Sequence, residues 1–309
     1  MSALELLDYG NRAAWLAGRR GGLGASDVAA LFTDEDGCSL GYSTAMELWL
    51  EKTGQLPPRE LEAEHVELGN RLEAVIAEIF AERTGRTVRQ YGPFCVAQHA
   101  TIPFLRATPD RWITHAPDRG GRGLAQIKKA NRFVAHNWDE GVPLPIQIQV
   151  QAEMAVTGYD YDSVPVIFDL LRFRHFDVER DADFIAELED RVRWFWDLVE
   201  RREPPPIDNS PKTLAALKRL HPADNGETVR LSEEAIEWAD ALERAKEEAK
   251  AAESVATGAE SKLRAAIGGA TFGELPDGRR FSLKTTTRKA HTQDVRESTF
   301  RTLRALSRK

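Results

Sequence analysis

A chain of 309 residues with 42% hydrophobic content and a net charge of −7 carries enough apolar material for one sizeable core plus an appendage. Its two cysteines, Cys38 and Cys95, exclude a disulfide framework and a multi-cysteine zinc or iron–sulfur site. No stretch approaches the ~18 apolar residues of a bilayer span, and MSALELLDYGNRAAWLAGRR has no signal-type apolar core; a cytoplasmic protein without membrane attachment is expected. The charge is uneven: residues 1–208 are acidic and residues 209–309 net basic, with basic residues crowded after Arg280. An acidic body can still bind phosphates through a local basic groove.

In chain order, WLAGRRGGLGASDVAALF reads as a helix, a glycine-rich turn and a second helix capped by Ser26 or its neighbour. STAMELWLEKTG is an amphipathic helix stopped by Gly54, and PPRE a break. EAEHVELGNRLEAVIAEIFAERTG is a strong helix ended by Gly85, with Leu68, Leu72, Val75, Ile76, Ile79 and Phe80 on one face. TVRQYGPFCVA and PFLRATPDRWITHA alternate as strands do, and the turn PDRGGRG leads to a strand LAQIKKA. PIQIQVQAEMAVTG is then a helix, SVPVIFDLLRFRHFDV a strand pair or a long bent strand, and DADFIAELEDRVRWFWDLVERRE a helix with an aromatic face. This order predicts an α/β core with helices on both sides of a sheet over residues 1–208.

PPPIDNSPKT has the composition of a linker. Residues 209–309 are expected to form an accessory region: an alanine- and glutamate-rich helical arm with a thin seam of Ile236, Ala239, Leu242 and Ala249, a β-hairpin turning at Pro276-Asp277-Gly278, and a basic tail.

The chemistry concentrates in ATPD and QIKK. Two apart on a strand, Gln126 and Lys128 share a face, and a paired neighbouring strand brings Asp110 toward both. An aspartate, a second acid and a lysine on one sheet face suit metal-assisted phosphodiester hydrolysis: carboxylates hold a hard cation, and a lysine orients water or neutralises developing charge. His65, His99, His115 and His136 have no ligand-like spacing and read as surface or core residues. Trp194 and Trp196 read as core packing rather than base-stacking platforms.

The blocks GGLGASD, GNRLEAVIAEIFAERTG, FLRATPD, QIKKA and QIQVQAEMAVTG follow one another in an order and spacing that resemble the YqaJ-type viral recombinases. These are grouped with phage lambda exonuclease in the PD-(D/E)xK nuclease superfamily. The resemblance covers residues 12–200 and implies a restriction-endonuclease-like core, a mixed sheet flanked by helices. It implies that Glu73 is a helix-borne acid near the metal and that Asp110 is the central ligand. Position 126 would be the second metal-binding acid, the Ile127 carbonyl a further ligand, and Lys128 the catalytic lysine. Gln149 would position the attacking water, with Gln151 nearby. Arg19 and Ser26 would grip the DNA 5′-phosphate, with Arg20 as the alternative to Arg19.

The family pattern has Asp or Glu where this chain has Gln126. Glutamine is nearly isosteric with glutamate and keeps an oxygen for a cation, but it has no charge, so impaired catalysis is expected. The retained Asp110 and Lys128 favour an introduced Glu→Gln exchange over an inherited one.

The activity implied by the resemblance is Mg²⁺-dependent 5′-to-3′ exonuclease digestion of double-stranded DNA ends, with Mn²⁺ able to substitute. It would leave 3′ overhangs for a single-strand annealing protein, inside the bacterial host of a phage or prophage. Relatives include ring-shaped homotrimers, so a homo-oligomer is expected. Two other readings stand beside it: a non-catalytic DNA-end-binding module on the same fold, and a partner-binding protein that works through its helical arm.

Overall fold

A computed structural model describes residues 5–57, 63–92, 94–169, 172–287 and 301–303. Two compact units divide the chain, Met1–Pro222 and Ala223–Lys309. In chain order the first contains β1 (Glu5–Asp8), α1 (Arg12–Gly18), β2 (Leu23–Gly24), a 3₁₀ segment (Ala25–Leu31), α2 (Ala45–Lys52), α3 (Ala63–Thr84), β3 (Thr87–Arg89), β4 (Cys95–Gln98), β5 (Leu105–Ala107) and β6 (Arg111–His115). It continues through β7 (Gly123–Ala125), β8 (Lys128–Ala130), α4 (Leu144–Thr157), β9 (Tyr161–Phe168), β10 (Arg172–Glu179), α5 (Ala182–Arg201) and α6 (Pro211–Leu220).

The larger sheet runs β10-β9-β7-β6-β3, with β8 also on β9. It is mixed: β7 and β8 lie parallel to β9, while the other pairs are antiparallel. A smaller sheet, β1-β4-β5-β2, is antiparallel except where β2 joins β5. The expected strand pair after Ser163 is thus β9 and β10, in continuous register from Tyr161↔Glu179 to Phe168↔Arg172.

Alternation along β9 assigns its two faces. Val164, Val166 and Phe168 enter the main core with Ile148, Val150, Ala152 and Met154 of α4, whereas Ile167 packs with Ile76 and Ala77 of α3. The central helix α4 is buried nearly all round, as a helix apolar on every side must be.

Several sequence expectations change. On α3 the inward stripe is Ile76, Ala77 and Phe80, while Leu68 and Val75 are exposed. The helical period puts Glu73, three and four residues before Ile76 and Ala77, on that inward side. Of Ser26 and its neighbours, Asp27 closes the turn ahead of what is a 3₁₀ segment and not an α-helix: Gly24 N–H donates to Asp27 Oδ2 at 3.1 Å. Trp194 is 44% exposed, because it lies off the α5 stripe of Ile185, Leu188, Val192 and Phe195. Trp196 does pack, stacked on Phe104 at 5.0 Å between ring centroids.

The boundary expected at 208 falls after Pro222 instead. The proline-rich stretch leads into α6, which begins on Pro211, a favoured first helical residue. Thr213 Oγ1 donates to Thr44 Oγ1 at 2.8 Å, Ser39 N–H donates to Ser210 Oγ at 2.7 Å, and Ala216 is fully buried. These contacts bind the start of α6 to the N-terminus of α2 and to the loop before it.

The second unit holds α7 (Glu234–Ile267), 34 residues without a buried side chain, and the hairpin β11 (Phe272–Glu274) and β12 (Arg280–Ser282). At 1.5 Å per residue α7 extends ~51 Å. The hairpin turns where expected, with Gly278 at φ +86°, a conformation that costs glycine little. Of the basic tail, residues 288–300 and 304–309 lie outside the described residues. Among the described residues no helix is long and apolar enough to cross a membrane.

Candidate active site at the interrupted strand

The QIKK segment is not one straight strand. β7 stops at Ala125 and β8 starts at Lys128, both against β9, so Gln126 and Ile127 form an irregularity between them. Such a kink re-aims side chains and frees backbone groups. Gln126 N–H donates to Ser163 O at 2.9 Å and to Asp162 Oδ1 at 3.1 Å.

Asp110 sits in the turn between β5 and β6. Its Oδ2 accepts two hydrogen bonds from the kink, from Gln126 Nε2 at 2.7 Å and from Ile127 N–H at 2.8 Å. Burial pushes its carboxyl up to about 6, and the nearby Glu73 charge adds to the rise. Lys128, the Ile127 N–H and Arg111 pull the other way.

Lys128 bonds elsewhere than expected: Nζ donates to Gln149 Oε1 at 2.8 Å. Gln149 Nε2 in turn donates to Glu153 Oε1, one helical turn along α4, at 2.9 Å. Glu153 and Asp162 face each other as a buried carboxyl pair. Burial raises both, and each is raised further by neighbouring carboxylates, Glu153 by Asp110 and Asp162 by Glu153 and then Asp110. One proton shared between them neutralises the repulsion of two adjacent acids. Glu153 Oε2 and Asp162 Oδ2, the two oxygens without another partner, are where that proton belongs.

Glu73 is tied down by Arg111, whose Nη1 donates to Glu73 Oε1 at 2.5 Å and to the Asp110 carbonyl at 2.6 Å. Gln151 is not part of the cluster. Its amide bridges the Glu179 carbonyl at 2.7 Å and the Asp181 N–H at 3.0 Å, fixing the start of α5. Of the histidines, His115 and His136 are exposed, and His99 pairs with Glu189 at 3.3 Å.

Arg19 and Ser26 border one cleft of about 140 Å³, together with Trp15, Arg106, Thr108 and Gln149. Arg20 does not line it. Thr108 also borders a hollow of about 350 Å³ that contains Asp110, Glu73 and Arg111, so the phosphate-binding candidates and Asp110 adjoin one another through Thr108.

The donors around Asp110 suit a hard cation in type: a carboxylate, the buried Gln126 Oε1, which has no hydrogen-bond partner, and the Ile127 carbonyl are all oxygens. In charge the set is weak, because Gln126 is neutral. Among the described residues no three His, Cys, Asp or Glu side chains group to hold a metal.

Sequence reasoning passed over Arg106, Arg111, Glu153 and Asp162. Their signal was present: Glu153 and Asp162 are lone acids inside apolar runs, QVQAEMAV and YDSVPVIF, where an acid must be paired or neutralised.

Residues 14–160 match the YqaJ-like viral recombinase domain. The uncharacterized protein YqaJ of Bacillus subtilis (strain 168) is 29% identical over 215 residues, 68% of this chain. The chain spans 64% of the length of that curated relative. The crystal structure of LHK-Exo, an alkaline exonuclease from Laribacter hongkongensis, superposes with a TM-score of 0.50 and 26% identity, over 62% of this chain and 94% of that one. A second structure of LHK-Exo, in complex with dAMP, gives a TM-score of 0.51 at the same identity and coverage. The mixed sheet flanked by helices is accordingly a PD-(D/E)xK-type core, the fold shared with this alkaline exonuclease, and its residues 14–160 are similar to the YqaJ-like viral recombinase domain.

Proposed function

We propose that this chain is built to act on the ends of double-stranded DNA as a Mg²⁺-dependent 5′-to-3′ exonuclease, weakened in its chemistry by Gln126. One observation carries the reading: Asp110, Gln126, Lys128 and Gln149 converge at the strand interruption, beside a cleft lined by arginines. The likeness to an alkaline exonuclease supports the same class of substrate.

Asp110, the Gln126 amide oxygen and the Ile127 carbonyl would hold the cation, with Glu73 close by. When bound, Mg²⁺ supplies Lewis-acid activation of water and of the phosphodiester; Mn²⁺ offers the same oxygen-seeking chemistry. Lys128 stabilises charge that develops on the phosphate, and the Gln149 carbonyl oxygen fixes its ammonium in place. Arg111 holds Glu73 at the rim of the site. Arg19 and Ser26 receive the 5′-phosphate of the strand to be degraded.

In the proposed setting the protein is phage- or prophage-encoded, works in the bacterial cytoplasm and assembles as a homo-oligomer, a ring-shaped trimer in the fullest form of the idea. It hands 3′ overhangs to a single-strand annealing protein.

A second reading, end binding without cleavage, draws on the Gln126–Asp110 bond at 2.7 Å: an amide hydrogen occupies the carboxylate that a cation would use. The deciding assay is digestion of a linear duplex carrying 5′-phosphates, with Mg²⁺, by this chain and by its Gln126→Glu variant. Digestion by the variant supports the nuclease. End binding by both with cleavage by neither replaces it with the binding module.

A further inference from the structure

We propose that α7 is a self-docking surface: two copies of this chain pair their α7 helices antiparallel along one apolar stripe. The inference rests on the second unit alone and goes beyond the activity proposed above.

The stripe follows from spacing. Steps of alternately three and four residues from Ala235 to Ala266 meet ten positions, and all are apolar: Trp238, Leu242, Leu263 and seven alanines. None of the 13 charged residues of α7 falls among them. A 3.5-residue apolar repeat sustained along a whole helix fits packing against another helix. Ile236 and Ala239, expected in the seam, lie beside this stripe.

The stripe faces water. Among the described residues α7 buries no side chain, and Trp238 and Leu242 stay 65% and 40% exposed. A solvated indole in line with leucines is apolar area that pairing would remove from water.

A second copy suits the stripe because the stripe is its own complement. Reversing α7 about its midpoint, between Lys250 and Ala251, carries Trp238 onto Leu263, Leu242 onto Ala259 and Ala249 onto Ala252. Two antiparallel helices therefore overlap end to end. Leu242 meets an alanine of the second copy, and the alanines at the centre allow close approach.

The flanking charges select the direction. Antiparallel pairing sets Lys246 against Glu253 of the second copy, and symmetry repeats the pair. Parallel pairing would instead set Glu248 against Glu253 of the second copy, again on both sides. Charges beside the seam decide orientation in this way, and like charges face to face repel.

The size of the contact sets its strength. A strip ~51 Å long and about 10 Å wide on each helix amounts to about 1,000 Å² in total, the lower bound of a specific interface. Association is thus expected to depend on concentration in the micromolar range.

The test is sedimentation equilibrium of the full chain from roughly 1 to 100 μM, without DNA. Ala249→Glu/Ala252→Glu crowds acids into the central layers at exposed positions, where glutamate is a good helix former. At the upper end the parent is expected to weigh twice this double variant, with far-UV circular dichroism showing equal helix in both. Lys246→Glu and Glu253→Lys should each weaken pairing several-fold, and the two together should restore it. That exchange gives a second route if the double variant loses helix. Equal masses for the parent and a folded double variant overturn the proposal: the stripe then belongs to a different protein, or any assembly is held by the first unit. Tighter pairing in Glu253→Lys would mean parallel helices and would overturn it too. The duplex-end reading survives every one of these results.

Discussion

Lys128 Nζ lies 2.8 Å from Gln149 Oε1 and makes no hydrogen bond to Asp110. The sheet and the central helix, not two neighbouring strands, therefore set the position of the lysine. In a Gln126→Glu background, Lys128→Ala should lower kcat by roughly 10²–10³-fold. Single-turnover digestion of an end-labelled duplex measures it, and unchanged kcat would remove Lys128 from the chemistry.

The Asp110–Gln126 pair makes a prediction that needs no turnover. Here the amide donates to the carboxylate. A glutamate at 126 would set two acids face to face, and two adjacent carboxylates cannot both ionise without a proton or a cation between them. The Gln126→Glu variant should therefore melt below this chain in EDTA and be raised by Mg²⁺. Saturation at 100 times Kd corresponds to ~2.7 kcal/mol. This chain should respond far less. Differential scanning calorimetry with and without Mg²⁺ decides it, and equal responses would argue against metal at this position.

Glu153 and Asp162 predict a pH effect. Burial raises both carboxyls, with Asp110 adding to the rise of Glu153 and Glu153 to that of Asp162, so the folded state binds a proton that the unfolded chain releases at ordinary carboxylate values. The stability linked to that proton is complete below ~4 and is lost as pH rises through the folded-state values. Glu153→Gln, which carries its own amide hydrogen toward Asp162, should flatten this slope. Its melting temperature at pH 8 is expected to exceed the parent's by roughly 2–4 °C. Parallel curves of melting temperature against pH would show that the pair does not share a proton.

Arg86, in the link between α3 and β3, ties the β6–β7 turn to β9 and β10. Its nearly inaccessible side chain donates to Asp118 at 2.5 and 2.9 Å, to both Asp177 oxygens at 2.8 Å and to Ser163 Oγ at 2.8 Å. Burial works to raise Asp177, but the bonds from Arg86 and Ser163 outweigh it and bring the carboxyl down to about 2. The stability this contributes is present above the ordinary aspartate value of ~3.9 and lost as pH falls toward 2. Arg86→Leu strands the acids and should cost about 3–5 kcal/mol in urea unfolding. A loss below 1 kcal/mol would mean that water already balances them.

Much of the fold was legible in the sequence where the signal was local. Thr44 caps α2 through the Glu47 N–H, Asp181 caps α5 through Asp183 and Phe184, and the apolar run of β9 marks a strand buried on both faces. Asp110, Gln126, Lys128 and Gln149 were legible as a group through motif order. Their partners were not. Whether a strand is interrupted at Gln126 depends on what β9 and the β5–β6 turn offer it, and no periodicity records that. Glu153 and Asp162 stand out only as lone acids in apolar runs, and Arg111 reads as an ordinary charge until the packing shows it buried. The helix α6 hid because it opens inside a proline-rich stretch and buries only Thr213 and Ala216.

The interruption at Gln126–Ile127 has a consequence for how this protein can change. Half of what seats Asp110 comes from a backbone N–H, that of Ile127, and a backbone donor is indifferent to the side chain at 126. Exchanging acid for amide there alters the charge of the site while the carboxylate keeps its anchor and the sheet keeps its register. In the proposed nuclease, position 126 is thus a dial for reactivity that can be turned without redrawing the fold. Active and silenced members of such a lineage would be nearly superimposable, separable by one side chain and not by shape.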